Sequence, residues 1–158
     1  MEVGFEVRMA TYEDIDAIEQ ITHEAFEKYA SMIGNSNIQA LNETKDDIKN
    51  DIDTSIVLVA FMDNVPVGSV RVKVNNEDKT AYLSRFGVKI STQNNGIGKS
   101  LINLVDIKMR EMGVKKLMLH TGAKVSSLVR FYYGRGFYID STTKDRGYIR
   151  ALMCKDYE

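Results

Sequence analysis

The sequence contains one cysteine, one proline and no tryptophan among its 158 residues. A lone cysteine, Cys154, cannot form an internal disulfide bond or a thiol-rich metal site, so we expect a cytoplasmic protein without a bound metal. No apolar run approaches the roughly 18 residues that a membrane-spanning helix needs. The first residues include acidic side chains and lack the apolar segment of a secretory signal. We therefore expect neither export by that route nor insertion into a membrane.

The composition is that of a globular protein. Hydrophobic residues make up 44% of the chain and charged residues 27%, which is enough apolar surface for a buried core. The chain has no internal repeat, low-complexity tract or linker, and its length suits one core. We therefore expect a single domain over residues 1–158.

The charges are distributed unevenly along the chain. Residues 1–63 carry 14 acidic and 4 basic residues, whereas residues 64–158 carry 8 acidic and 17 basic residues. The basic half is the expected docking surface for an anionic ligand. The acidic half either faces a cationic second ligand or only solvates two surface helices. Nucleic-acid binding is not expected, because the basic residues neither cluster nor alternate with aromatic residues.

The periodicity of apolar residues predicts strands and helices in mixed order. Alternation of apolar with polar residues marks the strands, and apolar stripes at helical spacing mark the helices. The predicted strands are 3–9, 55–62, 66–74, 80–89, 114–121, 137–143 and 148–155, and the predicted helices are 11–30, 44–52, 98–112 and 126–134. Asp63-Asn64 and the run Asp145-Arg146-Gly147 are expected to form hairpin turns. This order predicts an α/β (α+β) fold.

The most informative segment is residues 84–100, SRFGVKISTQNNGIGKS. A predicted strand leads through the glycine turn Gly96-Ile97-Gly98 into a predicted helix, whose first N–H groups lack acceptors and attract anions. Gly96 and Gly98 carry no Cβ, so a phosphate could approach the backbone closely. Gln93 excludes a Walker A loop, and Leu101 excludes a dinucleotide fingerprint. The segment therefore indicates a phosphorylated ligand, unless it is an ordinary strand-to-helix turn.

The pattern Gln93-x-x-Gly96-x-Gly98 resembles the pyrophosphate loop of the GNAT superfamily of acyl-CoA-dependent N-acetyltransferases. The run from Phe131 to Phe137, FYYGRGF, is similar to the Phe-Tyr-x-x-x-Gly-Phe segment of the same family. Both motifs occur in the family's order, with a predicted helix and strand between them. The resemblance covers about residues 55–140.

The resemblance implies a fold and a coenzyme site. It implies a single GNAT-like domain whose mixed, mostly antiparallel sheet has two parallel central strands that splay apart, with helices on both faces. Acetyl-CoA would lie in that split, with no metal. Gly87 would either mark a bulge that opens the split or be a packing glycine. The expected coenzyme contacts are Phe86, Gly87, Val88, Gln93, Asn94, Asn95, Gly96, Ile97, Gly98, Lys99 and Ser100.

The resemblance also implies acetyl transfer from a thioester to an amine. Tyr132 occupies the family's proton-donor position, although it could be only an aromatic core residue. His120 ends a predicted strand near the acceptor and is either the general base or a structural histidine. The acceptor would be a small-molecule amine or a protein amino group, and the acidic first half leads us to expect a cationic one. A non-catalytic acyl-CoA-binding module is the alternative function. The protein would be a monomer or a homodimer. In a dimer, strand 148–155 would be an exposed edge that pairs with a second copy.

Overall fold

The computed structural model describes residues 4–92 and 95–158. One mixed sheet contains seven strands in the order β1-β2-β3-β4-β5-β7-β6. The strands are β1 (Phe5–Met9), β2 (Ile56–Met62), β3 (Val65–Asn75), β4 (Thr80–Val88), β5 (Lys116–Gly122), β6 (Tyr138–Thr143) and β7 (Arg150–Asp156). The helices are α1 (Ile15–Ile33), α2 (Lys45–Thr54), α3 (Ile97–Glu111) and α4 (Ser126–Gly134).

The central strands β4 and β5 form the parallel pair, and the other neighbours in the sheet are antiparallel. The parallel register runs only from Thr80 opposite Lys116 to Tyr82 opposite Met118. Beyond Tyr82, β4 continues for six residues and β5 continues to Gly122 without further pairing between them. The two strands therefore separate toward their carboxyl ends, which confirms the predicted split sheet.

Helices cover both faces of this sheet. On one face, Ile18 of α1 and Ile48 of α2 pack in one buried cluster with Val57 and Val59 of β2. The other face is covered by α3 and α4, whose buried side chains join the larger core. In α3 these side chains recur at helical spacing, which gives the helix its apolar stripe. They are Ile97, Leu101, Ile102, Val105 and Met109.

Most predicted elements are confirmed within a few residues. Helix α1 differs most: it starts after a 3-10 turn at Tyr12–Asp14 and continues to Ile33, where Gly34 in the left-handed conformation (φ 67°) ends it. Short 3-10 turns also occur at Gln39–Asn42 and Ile90–Thr92. Within the described part of the chain, no helix is both long and apolar enough to span a membrane.

The prediction that strand 148–155 is an exposed pairing edge was wrong. Strand β7 lies between β5 and β6, so both of its sides are hydrogen-bonded within the sheet. Ala151 and Met153 are fully buried. Sequence alternation does not report the position of a strand in a sheet, because that depends on which segments pair with it.

Candidate active site

The split between β4 and β5 opens into a cavity of about 1100 Å³. Its walls come from α1, the 3-10 turn at Gln39–Asn42, β4, β5, the first turn of α3, helix α4 and the connection between β6 and β7. The cavity therefore reaches elements on both faces of the sheet. A volume of this size accommodates a large ligand.

A bulge in β4 shapes this opening. Ser69 pairs with Gly87 and Arg71 pairs with Ser84, so the two β4 residues Arg85 and Phe86 lie opposite the single residue Val70. Arg85 has a positive φ of 52°. A bulge bends its strand and leaves backbone groups outside the ladder. This bulge lies just beyond Tyr82, the last β4 residue that pairs with β5.

Gly87 itself is a packing glycine. A Cβ at this position would stand 2.8 Å from the Cβ of Ala25 in α1, which is closer than atoms can pack. The alternatives for Gly87 are thereby resolved: the bulge lies just before it, and the absence of a side chain lets α1 approach β4.

The glycine turn places the start of α3 at the cavity. Gly96 is left-handed (φ 78°) and precedes the first helical residue, Ile97. The N–H groups of Ile97, Gly98 and Lys99 have no acceptor within the helix, because helical bonds begin one turn later. The N–H of Ser100 donates to the carbonyl oxygen of Gly96 at 3.0 Å. The backbone N–H of Ser100 is therefore used within the helix, and a contact of Ser100 with the coenzyme stays a prediction that involves its hydroxyl.

Gly98 has a packing role in addition to the coenzyme contact predicted for it. A Cβ at Gly98 would stand 2.9 Å from Cζ of Phe86 and 3.2 Å from Cζ of Phe131. The two rings stack with centroids 5.5 Å apart, so the missing side chain makes room for them against the helix start.

The structure gathers most of the predicted coenzyme contacts around the cavity. Asn95 and Ser100 lie beside the lining stretch of α3 rather than in it, and Gln93 and Asn94 lie outside the described residues. The predicted contacts that line the cavity are Phe86, Gly87, Val88, Gly96, Ile97, Gly98 and Lys99.

Tyr132 lies in α4 with its ring in the core and its side chain at the cavity wall. It is 6% exposed, and its ring packs edge-on against Phe86 and Phe137 at centroid distances of 5.9 and 5.6 Å. No residue in the described ranges hydrogen-bonds to its hydroxyl. Burial raises the pKa of Tyr132 above its ordinary value, so the phenol keeps its proton at neutral pH. The neighbouring Tyr133 points outward.

His120 lies in β5, half-buried, with Nδ1 2.5 Å from the hydroxyl of Tyr82. Burial lowers the pKa of His120 below its ordinary value, and the positive charges of Arg150 and Arg146 lower it further, against the opposing effect of Asp145. The imidazole is therefore neutral at pH 7 and has one nitrogen able to accept a proton.

The two faces of the split carry different groups. Leu117 and Leu119 of β5 belong to the core under α3 and α4, so His120, the next residue, faces the α1 side. By the same alternation Arg150 faces that side, since Ala151 and Met153 belong to the α3 core. The glycine turn and Tyr132 thus approach the gap from one face of the sheet, and His120 and Arg150 from the other.

Sequence reasoning missed a polar cluster on the α1 face. The hydroxyls of Tyr29 in α1 and Tyr148 before β7 are 3.1 Å apart, and both residues line the cavity with Arg146 and Arg150. These residues are far apart in the chain and belong to no motif, so no sequence signal joined them.

Residues 1–63, the acidic half, contribute part of the cavity wall, but none of their described carboxylates lines it. Residues 25–40 form part of the lining without an acidic side chain. Asp145, from the β6–β7 connection, is the one carboxylate among the described lining residues. The expectation that the acids of residues 1–63 face a cationic ligand at this site is not supported by this arrangement. Nor does the described part of the chain contain a group of three metal-ligating side chains.

Split central strands, a bulge and a helix start therefore surround one cavity in the sheet of an α/β domain. A model of the acetyltransferase (GNAT) family matches residues 15–137. The chain therefore belongs to the GNAT family and is an acetyltransferase.

One curated protein and two solved structures are similar to this chain. A curated spermidine N(1)-acetyltransferase from Thermoplasma acidophilum is 25% identical over 150 residues, which cover 89% of this chain and 92% of the relative. The crystal structure of the PaiA N-acetyltransferase from T. acidophilum in complex with coenzyme A has a TM-score of 0.86 at 23% identity, covering 98% of this chain and 99% of that one. YncA from Salmonella typhimurium, a putative acetyltransferase solved with its cofactor acetyl-CoA, has a TM-score of 0.79 at 16% identity, covering 98% and 95%.

Proposed function

We propose that the protein transfers the acetyl group of acetyl-CoA to a primary amine by direct attack in a ternary complex. The observation that carries this proposal is the cavity through the split sheet. It meets the start of α3 and Tyr132 on one face and His120 on the other. A thioester entering from the α3 face and an amine entering from the α1 face would meet in the gap.

The coenzyme would bind mainly through backbone groups. Its pyrophosphate would accept hydrogen bonds from the N–H groups at the start of α3, with the charge of Lys99 beside it. Its pantetheine amides would pair with β4 over residues 86–88, which lie beyond the last pair with β5. This binding needs an extended strand and a helix start whose first N–H groups have no acceptor within the helix, and the described residues provide both.

Three groups would divide the chemistry. In the tautomer that we propose, Nδ1–H of His120 donates to Tyr82, and Nε2 takes a proton from the ammonium group before attack. The carbonyl oxygen becomes an oxyanion, which a backbone N–H near the β4 bulge would stabilise. As the carbon–sulfur bond breaks, Tyr132 would give its proton to the departing thiolate. The attacking nitrogen, which is still positively charged, loses its second proton to the tyrosinate of Tyr132 through solvent. The products are an acetylated amine, coenzyme A and the proton held by His120.

Acetyl-CoA is expected to raise the melting temperature, whereas ATP is not. A ligand at about 100 times its dissociation constant adds about 2.7 kcal/mol to the free energy of unfolding, or roughly 5–10 °C for a domain of this size. Differential scanning fluorimetry measures both. No shift with acetyl-CoA would contradict the proposed coenzyme.

Gly96 and Gly113 provide a matched test of the phosphate site. Both glycines are left-handed (φ 78° and 71°), and a Cβ on either meets no atom of the described residues within 4 Å. Gly96→Ala and Gly113→Ala should therefore each lose about 1 kcal/mol of stability from backbone strain. Only Gly96→Ala should also reduce the acetyl-CoA shift, and equal shifts in the two variants would place the phosphates elsewhere.

The rate is expected to fall at acidic pH with an apparent pKa below the ordinary histidine value. His120 acts as a base only when neutral, and its lowered pKa keeps it neutral further into the acidic range, so kcat/KM rises with pH through that pKa and then levels off. His120→Gln should remove this rise, the acidic limb of the pH profile, and lower kcat/KM about 100-fold. His23→Gln, on the exposed side of α1, is the control and should keep the limb. A limb that survives in His120→Gln would assign the base to another group.

A further inference from the structure

We infer that the acceptor amine carries an anionic group, a carboxylate or a phosphate, which Arg150 binds. This inference rests on the proposed function and adds the chemical class of its second substrate. The relevant surface is the α1 face of the cavity, where Arg150, Arg146, Tyr148 and Tyr29 surround the opening beside His120.

Arg150 is a buried cation whose donors are only partly used. It is 7% exposed, and its Nη2 donates to both carboxylate oxygens of Asp145, at 3.1 and 3.2 Å. Its Nε is buried without a hydrogen-bond partner in the described part of the chain. No described residue accepts from Nη1, which is not among the buried unpaired atoms. Because Nη1 is not buried, it is the donor of Arg150 that a ligand anion in the cavity reaches.

Asp145 uses only part of the hydrogen-bonding capacity of Arg150. Its side chain is 60% exposed on the β6–β7 connection, and it also accepts a hydrogen bond from Thr143. Solvent therefore weakens its hold on Arg150. A guanidinium has five donors arranged to bind more than one anion, so a ligand carboxylate can bind beside Asp145 rather than replace it.

The charge balance of this face favours an anion over a polycation. Arg146 and Arg150 face one carboxylate, Asp145, and both arginines lower the pKa of His120, which shows that their positive field reaches the proposed base. Arg85, also in the lining, is already paired with Glu43 at 3.3 Å. A polyamine would bring several cations to a surface with a single carboxylate. An amine with an anionic group would bring the complementary charge.

The side chains of the α1 face explain why this protein need not share the substrate of a distant relative. The curated relative named as a spermidine acetyltransferase is 25% identical to this chain. At that distance the coenzyme side, which is built from backbone groups, tolerates many changes. Substrate choice on the other face depends on individual side chains such as Arg150.

The test compares amines with and without an anionic group. The pairs are L-alanine with L-alaninamide, β-alanine with β-alaninamide, and phosphoethanolamine with ethanolamine, and spermidine is assayed beside them. Release of coenzyme A from acetyl-CoA gives kcat/KM for each. We expect one anionic member to exceed its neutral partner by about 10- to 100-fold, the range for hydrogen bonds to a charged group. The carboxylate and phosphate pairs distinguish the two kinds of anion.

Variants then assign the preference to Arg150. Arg150→Gln should bring the ratio of kcat/KM between the anionic and the neutral amine close to 1, and Arg150→Lys should restore part of it. Arg130→Gln is the matched control, since Arg130 is exposed on α4 and does not line the cavity. The acetyl-CoA melting shift, measured on each variant, shows that the fold and the coenzyme site are intact.

The outcomes separate this inference from the proposed function. A preference for spermidine or for the neutral amines, or an anion preference that survives in Arg150→Gln, would overturn the inference and leave amine acetylation standing. If no amine releases coenzyme A and acetyl-CoA gives no melting shift, the proposed function itself fails.

Discussion

Replacing Tyr132 by phenylalanine is expected to lower kcat about 1,000-fold, within the range typical of general acid–base catalysis, and to leave the affinity for acetyl-CoA nearly unchanged. The ring of Tyr132 is held between Phe86 and Phe137, and phenylalanine preserves those contacts. Only the hydroxyl is removed, and no described residue depends on it for a hydrogen bond. Steady-state kinetics and calorimetric titration of acetyl-CoA measure the two quantities.

Tyr133→Phe is the control for this experiment. Tyr133 is the adjacent residue of α4 but is 71% exposed, so its hydroxyl should have no effect on kcat. Equal turnover in wild type and Tyr132→Phe would remove Tyr132 from the mechanism. A wild-type protein that binds acetyl-CoA but acetylates no amine would favour the alternative, a non-catalytic acyl-CoA-binding module.

Replacing Glu43 by leucine is expected to lower the free energy of unfolding by about 3–5 kcal/mol, the cost of breaking a buried ion pair. Glu43 Oε1 lies 2.6 Å from Nη2 of Arg71, and Oε2 lies 2.7 Å from Nη1. Arg71 is 2% exposed on β3. Without Glu43 the guanidinium stays buried with Asp51 as its remaining carboxylate, at 3.0 Å. The melting temperature should fall by roughly 6–20 °C.

A double variant separates the lost charge from the altered packing. Glu43→Leu combined with Arg71→Met removes both buried charges, and most of the lost stability should return. Asp16→Asn is the control for a surface pair: its partner Lys45 is solvent-exposed, so the unfolding transition should barely move. A single variant as stable as the wild type would show that the pair contributes little.

The Arg71–Glu43 pair also links stability to the site. Glu43 directly follows the 3-10 turn at Gln39–Asn42, and Ala40 in that turn lines the cavity. Glu43 further accepts from Nε of Arg85 at 3.3 Å, at the β4 bulge. Two segments of the cavity wall therefore meet at Glu43, the partner of the buried Arg71.

The secondary structure could be read from the sequence because its signals are local. Alternation in residues 80–89 predicted β4 to within one residue, and Asp63-Asn64 forms the predicted hairpin turn with φ of 50° and 66°. The order of the elements, with the two short motifs, predicted the split sheet and the family.

The position of β7 and the roles of two glycines could not be predicted in the same way. β7 is an interior strand because β5 and β6 pair with its two sides. A side chain at position 87 would collide with Ala25 of α1. A side chain at position 98 would collide with the rings of Phe86 and Phe131. These causes lie in residues distant along the chain.

The sequence by itself determined the elements, the glycine turn at the start of α3 and the family, since periodicity and short motifs are properties of neighbouring residues. Only the tertiary structure decided what surrounds the reaction centre. It brought Tyr29, His120 and Arg150 to one face of the split and left the acids of the first half outside the cavity lining. The physical reason is that the charge and burial at a point in space are set by every element packed around it.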